Sequence, residues 1–531
     1  MSTTLGSYLT AWLAAYGVDT VFGIPGVHTI ELYRGLADSG IHHIAARHEQ
    51  SLGFMADGYA RVSGKPGVCF VITGPGLTNI ATAMGQAYAD SIPLLVISGV
   101  NARGKLGSGD GHLHELPNQH ALASQIAAFS HTLTAAAELP QVLARAFAVF
   151  DGGRPRPVHI EIPLDLMAAP ADGLPPPQAP AMRLLRGPAA PAAIDRAARL
   201  LSSAERPLLL IGGGARQAAP QLTRLAEMLD APALMTINAR GALPDGHPLA
   251  LSCSPSLPAA RRLIAASDVV LAVGCELGPT DFDMYVDGGF RLPGALIRID
   301  IDPEQLCRGR GADLPLLGDA KETLQLLIPR ITTAHRQGAE RADATRRLAA
   351  AEMEPENAAD LAWLHRVRDI LPQARWVGDS TRLVYAGNLG FCAPRGNSWF
   401  NASVGFGALG YGLPAAIGAA LAEPERPVLC LAGDGGFQFT LAEMGTAMET
   451  RAHLIVLLLN NRGYGEIKSA MRASKMEPLG VDLYTPDFPA LARAYGWRAE
   501  TLALGTPEPL LRQALEQAAA AANPTLIEIE A

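Results

Sequence analysis

Residues 428–461 constrain the fold more tightly than any other stretch of this 531-residue chain. Two short apolar runs, Val428 to Ala432 and Leu454 to Leu459, bracket a polar segment of helix-compatible composition. The first run leads into Gly433-Asp434-Gly435-Gly436 and the second into Asn460-Asn461. The pattern predicts a strand–loop–helix–strand unit with an acid at the carboxyl end of one strand and an amide at the end of the next. In a parallel sheet such ends lie side by side on the face where ligands bind. One carboxylate and one amide oxygen suit a hard divalent cation shared with phosphate oxygens. Glycines flanking Asp434 let a diphosphate approach the backbone closely. A Gly-Asp-Gly turn alone caps many helices; the paired strand ends carry the reading.

At this length one core does not suffice, and roughly 150 residues per domain gives about three domains. With 49% apolar and 18% charged residues, the composition is that of an ordinary cored globular protein. A formal charge of −8 gives no reason to expect nucleic acid or an anionic membrane as partner. The six cysteines are scattered with no C-x-x-C pair, which argues against a zinc site or a disulfide framework. The first residues lack the basic and apolar blocks of a signal peptide, and no apolar run is long enough to span a bilayer. The expectation is a cytoplasmic protein.

Two weakly patterned segments divide the chain. Ala168 to Ala193, rich in Pro and Ala, reads as a semi-rigid linker, and Ile331 to Asp360, highly charged, reads as a helical connector. The domains expected from these breaks cover residues 1–167, 190–330 and 358–531. Each alternates apolar runs with amphipathic segments. Strands are expected at Gly67–Thr73, Pro93–Ser98 and Val158–Ile162; at Pro207–Gly212, Val269–Gly274 and Leu296–Ile301; and at Val428–Ala432, Leu454–Leu459 and Thr525–Ile529. Continuous apolar strands between helices indicate parallel sheets covered on both faces. The fold class is therefore α/β: three doubly wound parallel-sheet domains in series. Ile211-Gly-Gly-Gly-Ala215 after a strand invites a dinucleotide reading, but it matches Gly-x-Gly-x-x-Gly poorly, and a plain strand–helix turn accounts for it better.

Two features of the first domain bear on chemistry. Glu49, in Arg47-His48-Glu49-Gln50, opens an apolar helical pattern, where a carboxylate also serves simply as a favourable first-turn charge. Thr73-Gly74-Pro75-Gly76-Leu77-Thr78-Asn79 turns from a strand end through glycines into a helix, either to bring backbone amides to a ligand or as a tight turn alone.

These features, in order along nearly the whole chain, resemble the thiamine diphosphate-dependent enzymes of the acetolactate synthase and 2-oxo acid decarboxylase superfamily. The likeness runs through Val21 to Gly26, Arg47 to Arg61, Thr73 to Asn79, Asp90 to Pro93, Asp300 to Pro303, Gly407 to Pro414 and Gly433 to Asn461. It implies an N-terminal pyrimidine-binding, a central and a C-terminal diphosphate-binding domain. It implies that Asp434, the Asn461 side chain and the Gly463 carbonyl hold Mg²⁺ against thiamine diphosphate. It gives Glu49 the catalytic place, bonded to the aminopyrimidine ring so that the ring can take the thiazolium proton. Thr73, Gly74, Pro75, Asn79, Gly407, Gly435, Gly436 and Tyr464 join the cofactor site by the same likeness. Leu409 falls where the family places an apolar wedge under the bent cofactor; core packing is the competing account. The resemblance also implies a homo-oligomer, minimally a dimer and commonly a tetramer, with Glu49 reaching the cofactor across the subunit interface.

Phrases such as GIPGVHTIELYRGL and LHELPNQHA are similar to those of 5-guanidino-2-oxopentanoate (2-ketoarginine) decarboxylases of bacterial arginine catabolism. That likeness implies non-oxidative decarboxylation of this 2-oxo acid to 4-guanidinobutanal and CO₂. A guanidinium substrate calls for a carboxylate with bidentate geometry. Glu466 is one candidate, Glu115 a second and Asp110 a third, each against the alternative of a solvated surface charge. His112 and His114 are candidate proton carriers or solvated loop residues. The segment LALSCSPSLPAA after Pro248, and Gly274-Cys-Glu-Leu-Gly-Pro, depart from the flavin-binding relatives, so FAD is not expected. The alternatives are an acetolactate synthase-like carboligase and, from another class, a catalytically silent cofactor-binding homologue. The presence of Glu49, Asp434 and Asn461 speaks against the last.

Overall fold

A computed structural model describes residues 3–178, 180 and 184–530. Three six-stranded sheets, every observed pair of strands parallel, follow one another along the chain. The first contains β1 (Thr20–Gly23), β2 (His42–Ala45), β3 (Gly67–Val71), β4 (Leu94–Val100), β5 (Phe129–Thr132) and β6 (Val158–Pro163), in the order β2-β1-β3-β4-β6-β5. The second contains β7 (Pro207–Ile211), β8 (Ala233–Met235), β9 (Ala250–Leu251), β10 (Val269–Val273), β11 (Ala295–Asp300) and β12 (Leu314–Leu317), in the order β12-β11-β10-β7-β8-β9. The third contains β13 (Arg375–Gly378), β14 (Trp399–Asn401), β15 (Val428–Gly433), β16 (Leu454–Asn460), β17 (Arg498–Ala503) and β18 (Thr525–Glu530), in the order β14-β13-β15-β16-β18-β17. The chain thus has three α/β domains in series, each doubly wound.

The second sheet shows why such strands read as unbroken apolar runs. Leu209, Leu271 and Ile297 pack into one core, while their neighbours Leu208, Val270 and Leu296 pack into another on the opposite face. Both faces are covered by helices, so both sets of alternating side chains are apolar. The Gly212–Gly214 turn is committed to the fold. The Gly212 and Gly214 amides donate to the carbonyls of Val273 and Gly274 at 3.0 Å, and a side chain on Gly212 would meet the Gly274 carbonyl at 2.1 Å. This is a strand–helix turn packed on its neighbour.

By packing, the chain divides into two compact units. One comprises residues up to Leu185, Gly405–Leu502 and those from Ala518 onward; the other comprises Arg186–Val404 and Ala503–Gln517. All the candidate site residues belong to the first. The charged connector forms the helices Gly338–Ala351 and Pro355–Ile370. Within the Pro-rich linker the described residues between Ala171 and Ala190 form neither helix nor strand; Ala179 and Ala181 to Arg183 lie outside the described residues.

Candidate functional site

Local sequence explains how each site residue is presented. The Glu49–Ser63 helix starts at Glu49, capped by His48, whose ring accepts from the Gln50 amide at 3.1 Å, and stops at Gly64 in the left-handed conformation. Glu49 is 9% exposed, and its Oε2 accepts from Asn79 Nδ2 at 2.9 Å. Asn79 lies in the Pro75–Asp90 helix, which opens with Gly74 before Pro75. Gly74 has φ +66°, and a side chain there would strike the His114 carbonyl at 2.3 Å, so the turn tolerates glycine alone. Its amide donates to Gln119 Oε1 at 2.8 Å. Thr73 is buried, with its hydroxyl lacking a partner.

The second cluster lies at the carboxyl ends of β15 and β16, as their pairing requires. Asp434 is buried, and its Oδ1 accepts from the Asn461 amide at 3.3 Å while Oδ2 lacks a partner. Burial raises the Asp434 pKa, against the lowering effect of the amides of Asn461, Gly463 and Gly435. The Asn461 side-chain amide stands 2.9 Å from the Gly463 carbonyl oxygen and 3.1 Å from Asp434 Oδ1; with its nitrogen inward it donates to both, and with its oxygen inward three acceptors converge. Adjacent ligands of an octahedral Mg²⁺ with bonds of 2.0–2.1 Å stand about 2.9 Å apart. The two contacts that Asn461 makes, to Gly463 and to Asp434, therefore have the spacing of two edges of such an octahedron. Arg462 at φ +60° and Gly463 at φ +149° turn the carbonyl inward, and a side chain on Gly463 would meet the Val481 carbonyl at 2.2 Å. The Tyr464 ring lies over Gly435, where an added Cβ would be 2.8 Å away. Among the described residues no cluster of three or more His, Cys, Asp or Glu could hold a metal ion, so this mixed oxygen set is a different kind of site.

A third group holds the loop bearing Leu409. Gly407 has φ +75°, and the half-buried Leu409 follows it. The Ala408 amide donates to Gln86 Oε1 at 3.2 Å, the Leu409 carbonyl accepts from Gln50 Nε2 at 3.4 Å, and the Tyr411 hydroxyl donates to Asp57 Oδ1 at 2.5 Å. Asp57 also accepts from Arg61 Nε at 2.7 Å, and Arg61 Nη2 reaches Asp90 at 2.5 Å. Burial alone would lower the Arg61 pKa, yet Asp57 and its neighbours raise it well above the usual value; burial raises Asp90 and Tyr411.

The remaining candidates scatter. Glu466 is exposed in the first turn of the Gly465–Ala473 helix, which has no buried residue. Glu115 accepts from the amides of Gly109, Gly111 and His112 at 2.7–3.0 Å, and the Gly109 amide is the chief cause of its lowered pKa. Its lone pairs thus serve its own loop. His112 is 3.9 Å from the exposed Asp110. His114, at φ +61°, packs edge-to-face on His28 with ring centroids 5.1 Å apart. His28 is buried, its Nδ1 lacks a partner, and burial followed by the His114 charge lowers its pKa. Sequence reasoning passed over His28, although it lies inside the GIPGVHT phrase. No hydrogen bond among the described residues joins Glu49 to the Asp434 group.

Three family models match the chain, each over part or all of one sheet's segment. They are described as the thiamine pyrophosphate enzyme N-terminal TPP binding domain (residues 3–126), central domain (194–327) and C-terminal TPP binding domain (377–529). The chain belongs to the thiamine pyrophosphate enzymes. Within this enzyme family it is 49% identical over 93% of its length, and 88% of the relative, to the probable 2-ketoarginine decarboxylase AruI of Pseudomonas aeruginosa. Acetolactate synthases are more distant. That of Arthrospira platensis is 32% identical over 92% of this chain and 87% of its own, and the isozyme 1 large subunit of Escherichia coli 32% over 87% and 82%. A thiamine pyrophosphate enzyme needs a place for a diphosphate and its cation, and the oxygens at the β15 and β16 ends fit that demand. No helix among the described residues is long and apolar enough to cross a membrane.

Proposed function

We propose that this enzyme decarboxylates a 2-oxo acid without oxidation, and that its substrate is 5-guanidino-2-oxopentanoate, released as 4-guanidinobutanal. The observation that carries the substrate is the 49% identity with the 2-ketoarginine decarboxylase, against 32% with the two acetolactate synthases. Bound thiamine diphosphate supplies the carbon nucleophile and electron sink for loss of CO₂. The chain's own residues do the rest. Asp434, Asn461 and Gly463 would hold Mg²⁺, with the Asn461 amide oxygen turned inward, and the buried Asp434 Oδ2, which lacks a protein partner, supports a cationic neighbour. Asn79 fixes Glu49 through Oε2, which leaves Oε1 to hold a proton at the pyrimidine ring. Thr73, Gly74 and Pro75 shape the turn beneath it, and Gly407, Leu409, Gly436 and Tyr464 complete the cofactor's bed. The edge-to-face pair His28 and His114 is assigned to proton delivery to the product carbon.

For the guanidinium we assign Glu466, in the first turn of the Gly465–Ala473 helix that directly follows Asn461, Gly463 and Tyr464; Glu115 serves the amides of Gly109, Gly111 and His112 in its own loop. Phe406, Phe439, Ile467, Leu479 and Tyr484 are all more than half exposed on the segments that carry Leu409, Asp434 and Glu466. A second copy of the chain is the occupant assigned to these exposed apolar side chains, in keeping with a homodimer whose Glu49 crosses the interface. The test is a panel of 2-oxo acids incubated with enzyme, thiamine diphosphate and Mg²⁺, with product analysis. Release of 4-guanidinobutanal with the highest kcat/KM supports the reading. Acetolactate from pyruvate with no free aldehyde replaces it with the carboligase alternative.

A further inference from the structure

Two residues before Glu49, the chain is tied to the segment that follows Asp434. The Arg47 amide donates to Glu443 Oε1 at 2.9 Å, and the Thr446 hydroxyl donates to Glu443 Oε2 at 2.6 Å. Glu443 is 1% exposed, so both carboxylate oxygens are spent inside the protein. Above this bond, Arg47 Nη1 reaches Thr446 Oγ1 at 3.0 Å and Glu449 at 2.8 Å, with Nη2 on Glu449 at 2.5 Å. Gly445 lets the guanidinium lie across the Met444–Glu449 helix, since an added Cβ would stand 3.1 Å from Arg47 Nη2. An arginine clamped by side chain and backbone fixes the direction in which the chain enters the Glu49–Ser63 helix. Glu49 is the first residue of that helix. A long carboxylate at a helix start has freedom about its entry angle, and small displacements of a catalytic group cost activity steeply.

We propose that Glu443 and Arg47 are positioning residues for Glu49, joining the segment after Asp434 to the carboxylate that addresses the pyrimidine ring. The inference rests on the reading that Glu49 bonds a ring nitrogen of the cofactor. A buried acid that merely braced the two helices would contribute to stability alone. An acid that aims Glu49 would also control how the protein recognises that nitrogen.

Binding separates these roles without recourse to turnover. Wild-type protein is titrated with thiamine diphosphate and with the analogue in which CH replaces the ring nitrogen that Glu49 faces. A hydrogen bond to an ionised group predicts a preference of about tenfold or more for the natural cofactor. Glu443→Ala is expected to reduce the preference to below about twofold, and Glu443→Gln, which keeps an acceptor for the Arg47 amide, to retain most of it. Arg47→Met, which loses the guanidinium contacts but keeps the amide, is expected to fall between, and serves if Glu443→Ala does not fold. Full preference in Glu443→Ala, or in Arg47→Met where the first variant is lost, overturns the clamp whatever happens to the melting temperature. Glu49→Gln is the reference: it should lose the preference too. If Glu49→Gln keeps it, the contact between Glu49 and the ring is wrong, and the clamp falls with that reading; if only the clamp variants keep it, the clamp alone is wrong.

Discussion

The side-chain amide of Asn461 reaches the carbonyl oxygen of Gly463 at 2.9 Å and Asp434 Oδ1 at 3.1 Å. With the amide oxygen turned inward the three oxygens would suit a cation, and buried Asp434 would supply the charge. The folded Asp434 pKa is raised by burial. In the absence of metal, ionised Asp434 therefore costs stability at neutral pH, and the cost fades as pH falls through the folded pKa toward the unfolded one. Asp434→Asn removes the charge in the same space. The metal-free variant is expected to melt at or above the wild-type temperature while losing both activity and the stabilisation that Mg²⁺ with thiamine diphosphate confers. Thermal melts with and without Mg²⁺ decide this; a variant still stabilised by the metal and cofactor would remove Asp434 from the site.

Glu466 opens a helix with no buried residue, so its substitution should leave the fold alone. If it reads a guanidinium, Glu466→Gln raises KM for 5-guanidino-2-oxopentanoate by about tenfold or more, consistent with loss of a charge-assisted pair. KM for an uncharged 2-oxo acid of similar length should change by less than about twofold. Equal changes in both would assign Glu466 to cofactor or fold.

The parts legible from sequence were those fixed by local pattern. The Val428 and Leu454 runs are strands because they are buried on both faces, and Asp434 and Asn461 meet because β15 and β16 are parallel neighbours. Short edge strands were not legible: β2, His-His-Ile-Ala, has an exposed first residue and little apolar content, and Pro315 interrupts the leucines of β12. His28, Gln119 and Glu443 were missed for another reason. Each acts through a partner far along the chain, and nothing in the spacing announces that His28 meets His114 or that Glu443 accepts from Arg47. Arg61 and Asp90 stood inside recognised phrases, but their pairing depends on how two helices pack.

That pairing gives a stability prediction. Tyr411 donates to Asp57 within a fully buried cluster in which one arginine faces two aspartates. Tyr411→Phe deletes the donor without altering the ring, and leaves Asp57 with less compensation for its buried charge. The expected cost is about 1.5–3 kcal/mol, seen as a lower melting temperature. Arg61→Met should cost more, about 3–5 kcal/mol, because it strands two buried carboxylates. If Tyr411→Phe melts with the wild type, the hydroxyl is dispensable and the ring's packing alone holds the loop.

The behaviour in acid should be set in part by His159. It is fully buried in β6, with Nε2 2.8 Å from Ser98 Oγ and Nδ1 2.7 Å from Ser130 Oγ. Burial, and secondarily the charge of His120, depress its pKa to about 3. The unfolded chain takes up this proton near pH 6.5, roughly the ordinary histidine value, whereas the folded protein refuses it. Stability from this group is complete above that point and is lost as pH falls toward the folded value, by at most about 1.4 kcal/mol per pH unit. Neighbouring Glu161 works the other way, since burial raises its pKa and its protonation favours the fold at lower pH. The histidine effect is therefore cleanest between about pH 6.5 and 5, before carboxylates of ordinary pKa titrate. Melting temperature should fall across that interval, and His159→Gln, which can still bond both serines, should flatten the fall. An equally steep fall in the variant would assign the acid sensitivity to other groups.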